Sequence, residues 1–400
     1  MLKKTLPLLF CPIVLAFCAS CASLPPSPTA QPIPTSPVYP IEANSTATYP
    51  LSPQTSSTPQ PGLPVFQISM FPEGTGWGMN TEQESLYHTS DGATTWADVS
   101  PSADTLSQAM GSVFTFFLDG QTGWLSVPQA ETSTLYHTTD GGFTWTSTPL
   151  DFPGGSLYFL DTQNGFLLSR LGVAAGSEYV ALYFTGDAGQ TWQQRFSHVP
   201  GEDPASLPAG GNKNGFVFLN QNIGWVTGSE PVTNFIYLYR TTNGGEFWEG
   251  ASCALPDDAG ENMFVTYPPI FVDQDHGFLP VRGVGAKFMT HLCVSSDAGA
   301  TWTYASTFTD TNQHDFVDRS NGWALGLYGL FRTTDGAQTW QDLSAALPVG
   351  FTALDMDFVD AQHGWLLVTT LGAEHLDENF LYKTSDGGQT WTLIPATFSK

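Results

Sequence analysis

The chain has 400 residues, of which 12% are charged and 13% aromatic, and a formal net charge of −25 from twelve Lys plus Arg against 37 Asp plus Glu. That balance argues against nucleic acid or an anionic membrane surface as a partner. The charge-poor, aromatic-rich composition suits many short strands packed face to face, and helical periodicity is almost absent.

Residues 1–20 read as a lipoprotein-type signal peptide. Lys3 and Lys4 precede a mostly apolar run from Leu6 to Phe17, interrupted by Pro7 and Pro12 and too short to span a bilayer comfortably. Ala19-Ser20-Cys21 then resembles a bacterial lipobox, which implies lipid on Cys21. Cys18 stands where Leu is commonest, and an ordinary secretory signal cut nearby is the alternative. Residues 21–64 read as an anchored linker. Ser23 to Pro64 holds twelve prolines in 42 residues and one charge, Glu42. Such a segment builds no core, and in polyproline II form, at about 3.1 Å per residue, it reaches on the order of 100 Å.

Residues 65–400 repeat. The stretch Leu381-Tyr-Lys-Thr-Ser-Asp-Gly-Gly-Gln-Thr-Trp391 occurs seven times, the other copies beginning at Leu86, Leu135, Leu182, Leu238, Leu292 and Leu330. Apolar and aromatic residues, then Asp and Gly, then Thr-Trp predict two antiparallel strands joined by a tight turn. Asp91, Asp140, Asp187, Asn243, Asp297, Asp335 and Asp386 are expected to bond turn N–H groups as structural residues. Upstream in each repeat lies a second landmark, as in Phe117-Leu-Asp119 with Gly123-Trp124 and Phe358-Val-Asp360 with Gly364-Trp365. The first copy, Phe71-Pro-Glu73, is one residue short. Two such turns per repeat predict four strands per repeat, and hence an all-β, seven-bladed β-propeller of four-stranded antiparallel blades of roughly 48 residues. Because every blade is complete, closure is expected to rest on packing of the end blades, helped by Leu63 to Val65, with little strand exchange.

The spacing of the turn resembles the Asp-box, or BNR repeat, of β-propellers. The combined pattern, Phe358-Val-Asp with Gly364-Trp365 followed by Lys383-Thr-Ser-Asp-Gly-Gly-Gln-Thr-Trp391, resembles the photosystem II stability/assembly factor branch of those propellers, over about residues 65–400. That resemblance implies a non-enzymatic, membrane-associated propeller that helps protein complexes assemble. Relatives also occur widely as exported proteins of non-photosynthetic bacteria, so the photosystem itself is not implied, and no partner-binding residue carries over.

All twelve tryptophans occupy repeat positions, which assigns them to packing between blades. Both recurrent turns share one face, so the variable connections crowd the other. Its acids Asp257, Asp258 and Glu261 form a candidate partner-binding face, with a merely solvated surface as the alternative. No catalytic residue emerges. A sialidase needs three converging arginines, and of the six present only Arg170 and Arg282 fall on the variable face. No cofactor site and no metal site emerge; Asp273-Gln-Asp275-His276 is the densest ligand-like run and sits in a recurrent turn. Cys253 and Cys293 are the only pair in the exported domain, and a disulfide between them is expected, two buried inert thiols being the alternative. The reading is an extracytoplasmic bacterial lipoprotein, held to the cell membrane by lipid alone, that binds a protein partner as an assembly module. A glycan-active enzyme and a purely structural envelope protein are the competing classes.

Overall fold

The computed structural model describes residues 64–80, 85–102, 105–174, 176–199, 206–259, 262–285, 288–309, 311–326, 329–370 and 379–399. Residues 1–63 with Cys21, Glu261 and the Asp258 side chain lie outside the described residues. Among the described residues the fold is all β, with two 3-10 turns, Asp257–Ala259 and Ser344–Ala346. No described helix is long and apolar enough to cross a membrane.

Each repeat forms a four-stranded antiparallel set in chain order. In the seventh the strands are Phe351–Phe358, Gly364–Thr370, Asn379–Thr384 and Thr392–Leu393. Five of the seven sets belong to separate sheets. Those of the fourth and fifth repeats are fused by an extra strand, Met263–Thr266, which pairs with both Gly224–Thr233 and Gly277–Val284.

The repeated turn is a closed hydrogen-bond circuit. Thr384 Oγ1 accepts from the Gly388 N–H at 2.9 Å and donates to Asp386 Oδ1 at 2.8 Å. Asp386 then accepts the Thr390 N–H at 2.9 Å on Oδ1 and the Thr390 hydroxyl at 2.6 Å on Oδ2. In the fourth repeat Asn243 keeps the backbone bond, from the Phe247 N–H at 3.0 Å, and Phe247 offers no hydroxyl. The turn needs two successive residues at positive φ, Gly387 at 73° and Gly388 at 91°. Ala93 (φ 75°) and Ala337 (φ 72°) occupy the second position in their copies, so the circuit holds an L-residue in a conformation it disfavours. The N–H of the first of these two residues donates to the other recurrent turn of its own repeat, from Gly92 to Gly74 O (2.8 Å) through Gly387 to Gln362 O (2.8 Å), in all seven copies. Both turns therefore lie on one face.

Neighbouring sets meet through aromatic stacking. The aromatic after the recurrent glycine of one repeat packs on the Phe that ends the inner strand of the next. Ring centroids are 3.7 Å apart for Trp124–Phe159 and 3.6 Å for Phe166–Phe218, Phe278–Phe316 and Trp323–Phe358. Trp77–Phe117 stacks at 4.6 Å, while Trp225–Phe271, also 4.6 Å apart, is tilted by 31°. The other side of each Phe covers its cross-strand glycine. A Cβ at Gly364 would collide with the Phe358 ring, which is why glycine recurs there.

Two expectations need correction. Met70, not Phe71, holds the repeat Phe position, since it pairs with Gly76 as Phe358 pairs with Gly364. The first copy is therefore of normal length, with Met in place of Phe. Closure also uses an exchanged strand. Thr397–Ser399 pairs in parallel with Thr95–Ala97 and makes the first sheet five-stranded. Its driving force is local: Phe398 meets Tyr87 edge-on at 5.0 Å, and Ile394 and Ala396 are buried beside Trp96. Cys253–Ala254, which follows the outer strand of the fourth repeat, pairs in the same parallel way with the outer strand of the fifth. That placement brings Cys253 against Cys293, and the two are joined with Sγ atoms 2.06 Å and Cα atoms 6.5 Å apart.

Phe358 is fully buried, so Phe358→Ala should lower unfolding stability by about 3–5 kcal/mol in denaturant titration. A loss under 1 kcal/mol would show that the stack is dispensable. Alkylation of the denatured, unreduced domain should add no label to Cys253 or Cys293, and reduction should cost roughly 3–4 kcal/mol for this 40-residue separation.

Candidate functional site

The inner strands surround an axial channel, a cavity of about 830 Å³. It runs from the inner strands to the first residues of the neighbouring turns, where Asp161, Asn220, Gln221 and Gln274 are exposed, so its mouth lies on the repeat-turn face. Five lining residues are acidic, Asp161, Asp273, Asp315, Asp355 and Asp357, and none is Lys or Arg.

Three of these acids do structural work that the sequence reading missed. An inner strand has N–H groups that point away from its sheet, and buried donors need acceptors. Asp315 accepts the Phe358 N–H at 2.6 Å, Asp357 accepts the Met70 N–H at 2.6 Å, and Asp355 accepts the Ile68 N–H at 2.9 Å. Each carboxylate thus caps the inner strand of the following repeat. The available signal was a break in the repeat. The residue before the repeat Phe is Ser69, Phe116, Tyr158, Val217 or Ile270 in five copies, and Asp315 or Asp357 in the other two.

Asp355 is partly exposed and lines the channel. Burial pushes its carboxyl from the ordinary 3.8 up to about 8; the Ile68 and Met356 N–H groups oppose this, while Asp357 and Asp315 add to it. His314, on the same wall, is pushed down to about 3 by burial and by Arg282.

The residues singled out from sequence fall elsewhere. The six turn aspartates have their oxygens engaged as described, and the Thr301 hydroxyl and N–H hold Asp297 down to about 2. Asp257 is exposed in its 3-10 turn on the variable side of the chain. Asp273, Asp275 and His276 do cluster, but Asp273 is already occupied. Its Oδ1 takes the Asp275 N–H at 2.8 Å and lies 3.0 Å from His276 Nδ1, and its Oδ2 takes Arg319 Nε at 2.6 Å.

The arginines are individually engaged. Arg170 pairs with Glu178 at 2.9 Å and Arg195 with Glu246 at 3.1 Å. Arg240, Arg282 and Arg332 lie over Trp225, Phe288 and Trp323 at 5.8, 4.8 and 5.5 Å. They do not converge as a carboxylate-binding triad would require.

Because the raised Asp355 acid binds its proton more tightly in the folded state, it lowers stability progressively as pH rises from about 4 to about 8. Asp355→Asn keeps an acceptor for Ile68 and removes the charge. It should stabilise the fold at pH 8 by on the order of 1–3 kcal/mol and change little at pH 4, as urea titrations at the two pH values would read. Equal effects at both would place the carboxyl's titration elsewhere.

No protein-family model matches the chain. Over 119 residues it is 30% identical to the photosystem II assembly lipoprotein Ycf48 of Synechococcus sp. (strain CC9902), a match spanning 28% of this chain and 33% of that protein. The solved structure of YCF48 bound to D1 peptide superposes with a TM-score of 0.54 at 19% identity, covering 81% of this chain and 92% of that one. An ancestral GH74 enzyme superposes at a TM-score of 0.53 and 13% identity, covering 84% of this chain and 46% of its own; at that identity the likeness is one of fold. The aromatic stacks, the closed ring and these likenesses together make the chain a β-propeller, similar in sequence over 28% of its length to Ycf48.

Proposed function

We propose that the protein is a non-enzymatic binding module that docks a protein partner on the face opposite the repeat turns and assists assembly of a complex. One observation carries this reading. The connections between second and third strands of the third, fourth and fifth repeats carry the exposed apolar residues Val173 (75%), Val232 (48%) and Phe288 (47%), and the extra strand between the fourth and fifth repeats carries Met263 (40%). The fused sheet pairs Met263 with Thr233, the residue after Val232, and with Val284, so the Met263 strand joins the second-to-third-strand connections of the fourth and fifth repeats. Exposed apolar side chains on neighbouring connections of one face mark a docking site. A relative solved with a bound peptide supports protein recognition by this fold. Asp257, Asp258 and Glu261 lie in the connection between those repeats and would steer a cationic patch toward it.

The module works outside the cytoplasm, tethered by lipid on Cys21 through the proline-rich linker; the lipobox-like Ala19-Ser20-Cys21 supports this, as does the lipoprotein name of the Synechococcus relative. Tagged protein should capture a defined partner from solubilised membranes. Val232→Asp with Met263→Asp should cut recovery about tenfold, and Asp257→Lys should slow association most at low salt. Cys21→Ser should move the protein to the aqueous phase in Triton X-114. Undiminished recovery by the double variant would remove this face from the proposal, and turnover of chromogenic glycosides by the wild type would replace it with an enzyme.

A further inference from the structure

The axial channel holds something the structural acids do not explain. Gln313 lines it, is 6% exposed, and donates from Nε2 to Leu354 O at 2.6 Å. Its Oε1 is buried without a hydrogen-bond partner. A buried, unmet acceptor costs about 1–3 kcal/mol. Around that acceptor the wall offers more acceptors: Asp315 two residues along the same strand, and Asp355 and Asp357 on the adjacent inner strand. No lining side chain is a cation. Apolar surface from Val217, Ile270 and Met356 completes the wall.

We propose that the channel is a binding site for an organic cation with N–H donors and a short apolar stem, a guanidinium or primary ammonium, whose head group donates to Gln313 Oε1 and the carboxylates beside it. A donor-rich head satisfies an amide oxygen and carboxylates together, and the stem lies against the aliphatic wall, an arrangement that a bare metal ion would leave mostly empty in a cavity of about 830 Å³. The groups facing the head are Asp355 and Asp357 of the seventh repeat, Asp315 and His314 of the sixth, and the uncharged Gln67 and Ser69 of the first. Asp355, with its carboxyl pushed up to about 8, is largely protonated at neutral pH in the empty channel. A cation arriving beside it favours the ionised form, so binding releases a proton. The proton passes from the Asp355 carboxyl to buffer and no other bond changes. The proposal stands apart from the docking face, since a free small cation suffices to occupy the channel.

Calorimetry on the purified full chain tests this at pH 7 in two zwitterionic buffers of different ionisation enthalpy, PIPES and HEPES. The probes are agmatine, 1,4-diaminobutane, a short peptide bearing a terminal arginine, and calcium or magnesium chloride alone. At least one organic probe should bind saturably with release of up to one proton. Gln313→Met should weaken it about tenfold, and Asp355→Asn should abolish the proton release. Tighter binding of the peptide than of agmatine would assign the head group to a protein segment, and the reverse to a free metabolite; both uphold the site. Absence of saturable heat at millimolar probe overturns it. So does binding that ignores Gln313→Met and releases no proton, or preferential binding of the metal ions. The wild-type buffer comparison needs no variant, so a variant that fails to fold does not shelter the proposal.

Discussion

Everything in this fold depends on a three-layer contact repeated around the ring: a glycine, the Phe that covers it from the adjacent strand, and the aromatic of the preceding repeat stacked on that Phe. The glycine has to be there because the ring occupies the space of a Cβ. Removing that Cβ lets the Phe lie flat, and a flat ring presents its whole face to the neighbouring sheet, at centroid distances as short as 3.6 Å. Behind the stacked aromatic, on its own repeat, the third strand supplies a further layer. His137 stacks on Trp124 at 4.7 Å, and Arg332 and Lys383 lie over Trp323 and Trp365 at 5.5 and 4.9 Å. The few basic residues of an acidic chain are thus spent largely on ring faces. Packing consumes the chemistry that a carboxylate-binding enzyme site would have required.

The parts built by repetition were legible in the sequence because repetition is itself the signal. Strand pairs, the turn circuit of Thr384, Asp386 and Thr390, and the packing role of the tryptophans all follow from spacing and side-chain chemistry. What escaped was non-repeating. Met70 escaped because the landmark was read by residue type, and Phe71 beside it was the wrong Phe. The parallel strand Thr397–Ser399 escaped because three residues at a chain end have no period to detect; only its likeness to Cys253–Ala254, another segment leaving an outer strand, makes sense of it once both are seen. The channel acids were not legible because their role depends on N–H groups of the next inner strand, which the sequence does not place beside them, and without such donors a carboxylate there is costly.

These omissions converge on one place. Six junctions between successive repeats set an aromatic against Phe, stacked in five and tilted in the fourth-to-fifth, and the junction of the seventh with the first does not. There Trp365 shares a cluster with Met70, whose flexible thioether fills the space but gives no flat face. The same junction holds Asp355 and Asp357 bonded to the first inner strand, Asn379 Nδ2 bonded to Val65 O at 2.7 Å, Trp365 Nε1 bonded to Gly92 O at 3.3 Å, and the added strand on the outer edge. Dispersion and stacking are tolerant of small slips, whereas hydrogen bonds between named donors and acceptors are not. A junction that has no covalent continuity must also select its partner from six near-identical alternatives. Directional bonds help make that selection: Asp355 accepts from the first inner strand and Asn379 donates to it, whereas at other junctions Gln313 Nε2 donates to Leu354 O and Thr290 Oγ1 to Thr311 O, so the groups presented differ from one junction to another. The carboxyl groups that line the channel are, on this reasoning, a consequence of closing the ring in one register, and the acceptor-rich wall they leave on the axis is what any ligand of the channel must answer.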